Sequence, residues 1–377
     1  MSQALASKVM TYVSKRDEAD GVLYFTLSNL NVSIANSLRR VILSDIPTLA
    51  FKTFPDKENQ ANITTNTSRF NNEILKQRLA CIPIHGLTHD QPWEELVVII
   101  DKQNDTHDIQ LVTTQDFKVK NEKSGKFLAD SVVRKMFPPD DITSDFIVLA
   151  RLRPRISNEV PGETLQIQAK MSLQTAGDDG AYNVVSCCTY RNTPDKVRQD
   201  QAWSEEVKKI ADEDKEMARN DWYNHQAGRI YIEDSFDFKI QTLGVFTNSD
   251  IVDKACNILI QDITAFADSF KSPEEADSFI MSESKSTITN SYDIKLPNIG
   301  YTIGKVFEYF LHEKYYKTAK ILSYVGFRKN HPHDSYSIIR LAFREAPPDA
   351  IQDIIKMFQD VCLEANKTYS AIAKEFS

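Results

Sequence analysis

Three constellations in this sequence could do chemistry. Cys81, His85 and His89 stand as C-x3-H-x3-H. On a helix, residues four apart share a face and could hold zinc. Pro83 and Gly86 break any helix there, and no fourth ligand lies nearby, so ordinary loop residues are expected. Cys187 and Cys188 are adjacent. On a strand they point to opposite faces, one of them buried as a small hydrophobe. A nucleophile pairing of either with a histidine has no local signature behind it. His331-Pro332-His333-Asp334 sets a proline between two histidines, which favours an extended loop over a metal site. Neither GxGxxG nor GxxxxGK[ST] occurs, and with only 11 glycines, phosphate-cradling loops are not foreseen. No catalytic residue, metal or cofactor is therefore expected.

Asn36, Arg39 and Arg40 offer recognition rather than catalysis. Ile34, Leu38, Val41 and Ile42 recur at helical spacing and take the buried face of one helix, ended by Asp45-Ile46-Pro47. Ser33 reads as its N-cap. The three polar residues then form either a solvated flank or a docking face, since Arg is enriched in protein interfaces. Glu73 and Arg78, on a second short helix over Asn71–Leu79, pose the same question.

Length and composition bound what such elements can build. With 377 residues, 41% hydrophobic and 26% charged, the chain is globular, with two or three domains. There are 45 Lys and Arg against 53 Asp and Glu, a net charge of −8. Binding DNA over the whole surface is excluded, because that affinity comes from Lys and Arg on phosphates. Five cysteines without a CxxC point to reduced thiols in the cytosol or nucleus. Apolar runs no longer than Leu96–Ile100 predict no membrane span, and the N-terminus has no apolar signal core.

The elements suggest an α+β chain of two similar halves. Val22–Leu30 reads as a strand leading into the first helix. Residues 86–191 alternate short β-rich runs with Asp, Asn, Gly and Pro clusters, and Asp195–Asp221 is a charged helix or helical hairpin. After the strand Phe236–Leu243, Val252, Cys256, Leu259, Ile263 and Phe266 form a heptad stripe. The Ser- and acid-rich stretch 271–290 reads as a linker. A second strand, Ser291–Leu296, precedes an amphipathic helix of Ile303, Val306, Phe307, Phe310 and Leu311. The strand Tyr336–Arg344 follows, then a long helix with Ile351, Ile355, Phe358, Cys362, Ala365 and Tyr369 in a stripe, with Asp349 in its first turn. Two such halves can bury their stripes against each other, helix on helix, or each stripe can face its own sheet.

These residues carry a resemblance. Asn31–Ala50 (NVSIANSLRRVILSDIPTLA) resembles the signature helix of the alpha-like subunits of cellular RNA polymerases. Asn72–Leu79 with Ile82-Pro83 is similar to the next block of that family. Further matches are Leu149–Pro154 with Gly162–Leu165, and Phe236–Phe238 with Gly244 and Ile251–Ala255. Gly300–Leu311 and Val325–His333 resemble the smaller alpha-like partner. The resemblance implies both subunits fused in one chain, as in large cytoplasmic DNA viruses. It implies a first dimerisation module at 1–50 and 231–270, a β-rich insert with the charged block at 51–230, and a second module at 291–377, packed as an intramolecular pseudo-dimer. It implies a non-catalytic assembly role in a DNA-directed RNA polymerase. Asn36, Arg39, Arg40, Glu73 and Arg78 would dock the largest and second-largest subunits, with a small zinc-binding platform subunit alongside. DNA would be met only through the complex, no homodimer is expected, and the location would be the cytoplasm, a viral factory or virion, or the nucleus in a cell. The family's four-cysteine zinc loop is missing, since Gly86–Ile100 holds no cysteine. A stand-alone interaction scaffold and a thiol enzyme are the alternatives.

Overall fold

The computed structural model describes residues 12–86, 92–157, 159–269, 282–284 and 287–377; His89 and most of the expected linker lie outside them. In chain order the elements are β1 (Val13–Ala19), β2 (Val22–Ser28), α1 (Val32–Ser44), β3 (Thr48–Ala50), β4 (Ala61–Asn66), α2 (Asn72–Ala80), β5 (Leu96–Gln103), β6 (Gln110–Thr113), β7 (Lys118–Asn121), α3 (Asp130–Met136), β8 (Val148–Leu152), β9 (Thr164–Lys170) and β10 (Ser172–Gln174). Then come β11 (Val185–Pro194), α4 (Lys196–Glu206), α5 (Lys215–Asp221), β12 (Tyr231–Thr242), α6 (Asn248–Ser269), β13 (Ser282–Glu283), β14 (Ser291–Pro297), α7 (Tyr301–Leu311), β15 (Leu322–Arg328), β16 (Tyr336–Phe343) and α8 (Ala350–Ala373). They form two compact units. Of the described residues, one holds those within 1–42, 187–241 and 248–377; the other holds those within 43–186 and 242–247.

The first unit contains the same fold twice. Its two sheets run β1-β2-β12-β11 and β13-β14-β16-β15. In each, a short helix follows the second strand and a long helix follows the last. The spacing repeats to the residue at the front of each copy. Ser291 opens β14 269 positions after Val22 opens β2, and Tyr301 opens α7 269 after Val32 opens α1. Gly21 and Asn29, both at positive φ, bracket β2; Asn290 and Asn298, also at positive φ, bracket β14 at the same offset. Glycine and asparagine tolerate that conformation, so each copy turns in and out of its second strand by the same local device. Inward side chains then pair across each sheet. Phe25 lies opposite Phe238 and Leu27 opposite Phe236 in the first, and Ile294 opposite Ile339 in the second.

The second unit is β-rich. A four-stranded sheet, β4-β9-β5-β7, is joined by the pairs β6-β8 and β10-β3. Val98, Ile100, Val119, Ile167 and Ala169 line its core with Leu75 and Leu79 of α2 and Val133 and Met136 of α3. At seven residues, α3 is too short to leave a readable period in the sequence. Asn71 caps α2, its side chain accepting from the Ile74 amide at 2.9 Å, and the helix stops before Pro83.

Several sequence expectations change. Asn31, not Ser33, caps α1: its Oδ1 accepts from the Ser33 amide at 2.9 Å. Asp349 is the cap of α8 rather than a first-turn residue, accepting from the Gln352 amide at 3.0 Å. Ile351 is 39% exposed, because the heptad spacing runs one turn ahead of the buried face. Burial on α8 starts with Ile354 and Ile355 and widens into two rows. Ile303 and Phe310 are half-buried. The second compact unit holds 43–186 with 242–247, beside the 51–230 expected for the insert. Residues 195–229 belong to the first unit, as a helical hairpin in which Trp203 lies 6.1 Å from Trp222 and Gln199 donates to the carbonyls of Ala227 and Ile230. Within the expected linker, Ser282–Glu283 form a strand, β13, paired with β14.

Candidate docking surface and helix seam

Four helices of the first unit carry buried stripes. Ile34, Leu38, Val41 and Ile42 of α1 are all buried, as are Val306, Phe307 and Leu311 of α7. So are Val252, Cys256, Leu259, Ile263 and Phe266 of α6, and Ile355, Phe358, Cys362, Ala365 and Tyr369 of α8. Fully burying one such side chain contributes on the order of 2 kcal/mol. Three rings from three helices meet: Phe266 lies 4.9 Å from Phe307 and 5.8 Å from Phe358, and Phe307 lies 6.0 Å from Phe358. Asn366 of α8 donates to Thr264 of α6 at 2.9 Å. Ser37 of α1 lies 2.6 Å from the Tyr369 hydroxyl of α8. Beyond α8, Phe376 packs edge-on against Phe25 of β2 at 5.0 Å, with the Arg16 guanidinium 4.9 Å above it. Thus the second copy's last helix reaches the first copy's sheet. Sequence pattern does not single out Ser37, Arg16 or Phe376; a lone serine inside an apolar stripe is the available signal for the first.

Polar residues flank this seam. Asn36 and Arg39 pair with each other, the guanidinium donating to Asn36 Oδ1 from Nε at 3.1 Å and from Nη2 at 3.0 Å. Arg40 is exposed, but its Nε donates to Thr302 of α7 at 2.9 Å, so it also ties α1 to α7. At the 269-position offset, Asn36, Arg39 and Arg40 correspond to Lys305, Glu308 and Tyr309. Lys305 and Glu308 form an ion pair, so the two copies carry opposite charge at the place of Arg39. Glu73 and Arg78 lie in the other unit. Glu73 is exposed, while Arg78 donates to the Leu149 carbonyl from Nε at 2.8 Å and to that of Val148 from Nη2.

Burial pushes the Cys188 thiol up to about 12, only partly opposed by the charge of Arg39, away from the thiolate form that acts as a nucleophile. Cys187, half-buried, has Thr189 Oγ1 at 3.9 Å. Burial raises Cys256 as well, and takes Cys362 to about 12. His85 is held below the usual histidine range by burial, against a hydrogen bond with the Gly244 backbone. The His331 and His333 rings stack 5.2 Å apart. Among the described residues no group of three or more His, Cys, Asp or Glu could hold a metal, and no described helix is long and apolar enough to cross a membrane.

Comparison with known proteins fits this geometry. Residues 24–263 match the family model described as the RNA polymerase Rpb3/Rpb11 dimerisation domain. The chain is similar to the DNA-directed RNA polymerase II subunit RPB3 of Schizosaccharomyces pombe, 35% identical over 82 residues, which is 22% of this chain and 25% of that protein. It is similar to the DNA-directed RNA polymerases I and III subunit rpac1 of Dictyostelium discoideum, 24% identical over 287 residues (65% of this chain, 77% of that protein). It is likewise similar to the DNA-directed RNA polymerases IV and V subunit 3B of Arabidopsis thaliana, 25% identical over 320 residues (71% and 93%). The match thus spans a quarter of the fission yeast protein and most of the other two. From its second strand into its sixth helix, the chain belongs to the RNA polymerase Rpb3/Rpb11 dimerisation domain family.

Proposed function

We propose that this chain is a non-catalytic assembly subunit of a multisubunit DNA-directed RNA polymerase, with two alpha-like modules clasped as an intramolecular pseudo-dimer. The family match covers most of the first copy. The observation that carries the rest is the repeat: β13–α8 has the strand order of β1–α6, and its helices interlock with those of the first copy through Phe266, Phe307 and Phe358. A helix on a four-stranded sheet buries only one face, and two such copies bury each other's stripes. Joining them in one chain makes the association intramolecular, with an effective concentration set by the connecting segment. The partners are the largest and second-largest polymerase subunits, met through Asn36, Arg39, Arg40, Glu73 and Arg78, with a small zinc-binding subunit alongside. DNA is met through the complex. The reduced thiols fit a cytosolic or nuclear compartment, and the fused arrangement suits a viral factory or virion.

Mass spectrometry of what co-purifies with a tagged chain from its native source tests the reading. Two much larger polymerase chains are expected. Their absence would leave an interaction scaffold unrelated to transcription. On size exclusion the isolated chain should run as a monomer, and a stable homodimer would overturn the pseudo-dimer.

A further inference from the structure

Beside α2 in the second unit lies a cleft of about 290 Å³ lined by Phe70, Arg78, Val148, Ala150 and Arg151. In a chain of net charge −8, its lining holds two guanidiniums and no carboxylate. Arg78 is fixed in place by its bonds to the Leu149 and Val148 carbonyls, and its guanidinium lies 5.5 Å from the centre of the Phe70 ring. Those bonds engage two of its five N–H donors and leave the rest for a ligand. Arg151 sits on β8 opposite Leu111 and is exposed. Among the described residues its side chain has no hydrogen-bond or ion-pair partner.

We infer that this cleft receives an acidic segment of a polymerase subunit, a Glu or Asp carboxylate entering between Arg78 and Arg151 with its stem against Phe70 and Val148. The inference rests on the assembly-subunit reading above. Arginine matches a carboxylate with two parallel N–H donors. A guanidinium already held by backbone carbonyls loses little freedom on binding. An arginine beside an aromatic ring and aliphatic side chains is the composition of interface hot spots.

The test uses the full chain co-expressed with the large polymerase subunits of its own source. Arg151→Glu should weaken their association at least tenfold at constant salt while leaving the melting temperature unchanged, and Arg151→Lys should retain most of it. A photo-crosslinking residue at position 151 should label a peptide rich in Asp and Glu. Association within twofold of wild type for Arg151→Glu would overturn the inference, as would a crosslink to a non-acidic peptide or none in an assembled complex. If the wild-type chain itself does not assemble, the parent reading falls and the cleft with it. If wild type and Arg151→Glu assemble alike, the cleft alone falls.

Discussion

Ser37 on α1 and Tyr369 on α8 meet at 2.6 Å, each almost fully buried. The direction of that hydrogen bond follows from the rest of the network. The single Ser37 hydroxyl proton goes to the Ile34 carbonyl at 2.8 Å, so the Tyr369 hydroxyl donates to Ser37 Oγ. Burial pushes the Tyr369 phenol up, which keeps it protonated.

The two ends of that bond should therefore fail unequally. Ser37→Ala leaves the Tyr369 hydroxyl buried without an acceptor and should cost about 2 kcal/mol. Tyr369→Phe leaves Ser37 still bonded to Ile34 and should cost about 1 kcal/mol. The double variant should lose less than the sum of the two. Urea unfolding of all four proteins checks this. Additivity would mean that the hydroxyls do not interact.

Gly304 lets α7 press on β15: a Cβ built there would come within 2.1 Å of the Phe327 ring. Gly304→Ala should destabilise by about 1–3 kcal/mol through overpacking, although alanine is the better helix former by about 1 kcal/mol. Thermal melts should show a lower midpoint, partly restored by Phe327→Leu. A higher midpoint would show that the contact is loose.

Reversing charge on α1 separates docking from folding. Arg39→Glu with Arg40→Glu should abolish association with the large subunits if these arginines lie against acidic partner groups, a loss of several kcal/mol. The isolated chain should stay folded, losing on the order of 1 kcal/mol for each set of bonds the reversal removes, Arg40 to Thr302 and Arg39 to Asn36. Intact assembly by the double variant would return both residues to the solvated flank.

Asp293 and Arg340 give stability a pH dependence. The guanidinium donates to the carboxylate at 2.6 and 2.8 Å across β14 and β16 and holds Asp293 below the usual carboxylate range. A carboxylate with a depressed folded pKa stabilises the protein above its unfolded value, about 3.9. That contribution is lost as pH falls through the lower folded value. Wild type should therefore lose stability over that acid window more steeply than Asp293→Asn. Parallel curves from denaturant titrations between pH 2 and pH 5 would remove the pair from the account.

Thiol labelling should be graded by burial. Cys81 is exposed and Cys187 half-buried, while Cys188, Cys256 and Cys362 are buried. Burial raises the last three thiols, so a thiolate-seeking reagent at pH 8 should modify Cys81 first and these three last. Peptide mapping reads the order. Fast reaction at Cys188 would revive the thiol-enzyme alternative.

Short, regular repeats are legible in the amino-acid order alone. Leu38 and Phe307 mark the same place on two helices, because burial with a 3.6-residue period leaves its trace in neighbouring positions. The order of elements in the two halves is visible for the same reason, and so are the stop signals at Pro47 and Pro83. Cap positions are less legible: Asn31 and Ser33 are both good caps, and only the backbone at the junction chooses between them. Ile351 shows how a stripe extended by pattern runs past the first buried turn. Of the candidate docking residues, the types of Asn36, Arg39 and Arg78 are plain in the chain, but their local hydrogen-bond partners are not.

Local pattern dictates which faces of α1, α6, α7 and α8 must be covered, because apolar side chains at fixed helical spacing demand burial wherever the chain goes. It leaves open what covers them. The matching strand orders of the two sheets, Tyr369 set against Ser37, Phe376 laid on Phe25, and the charged hairpin joined to the first unit arise only once the chain is folded. Each of these joins residues tens or hundreds of positions apart, where hydrophobic burial is non-directional and close packing selects the partner.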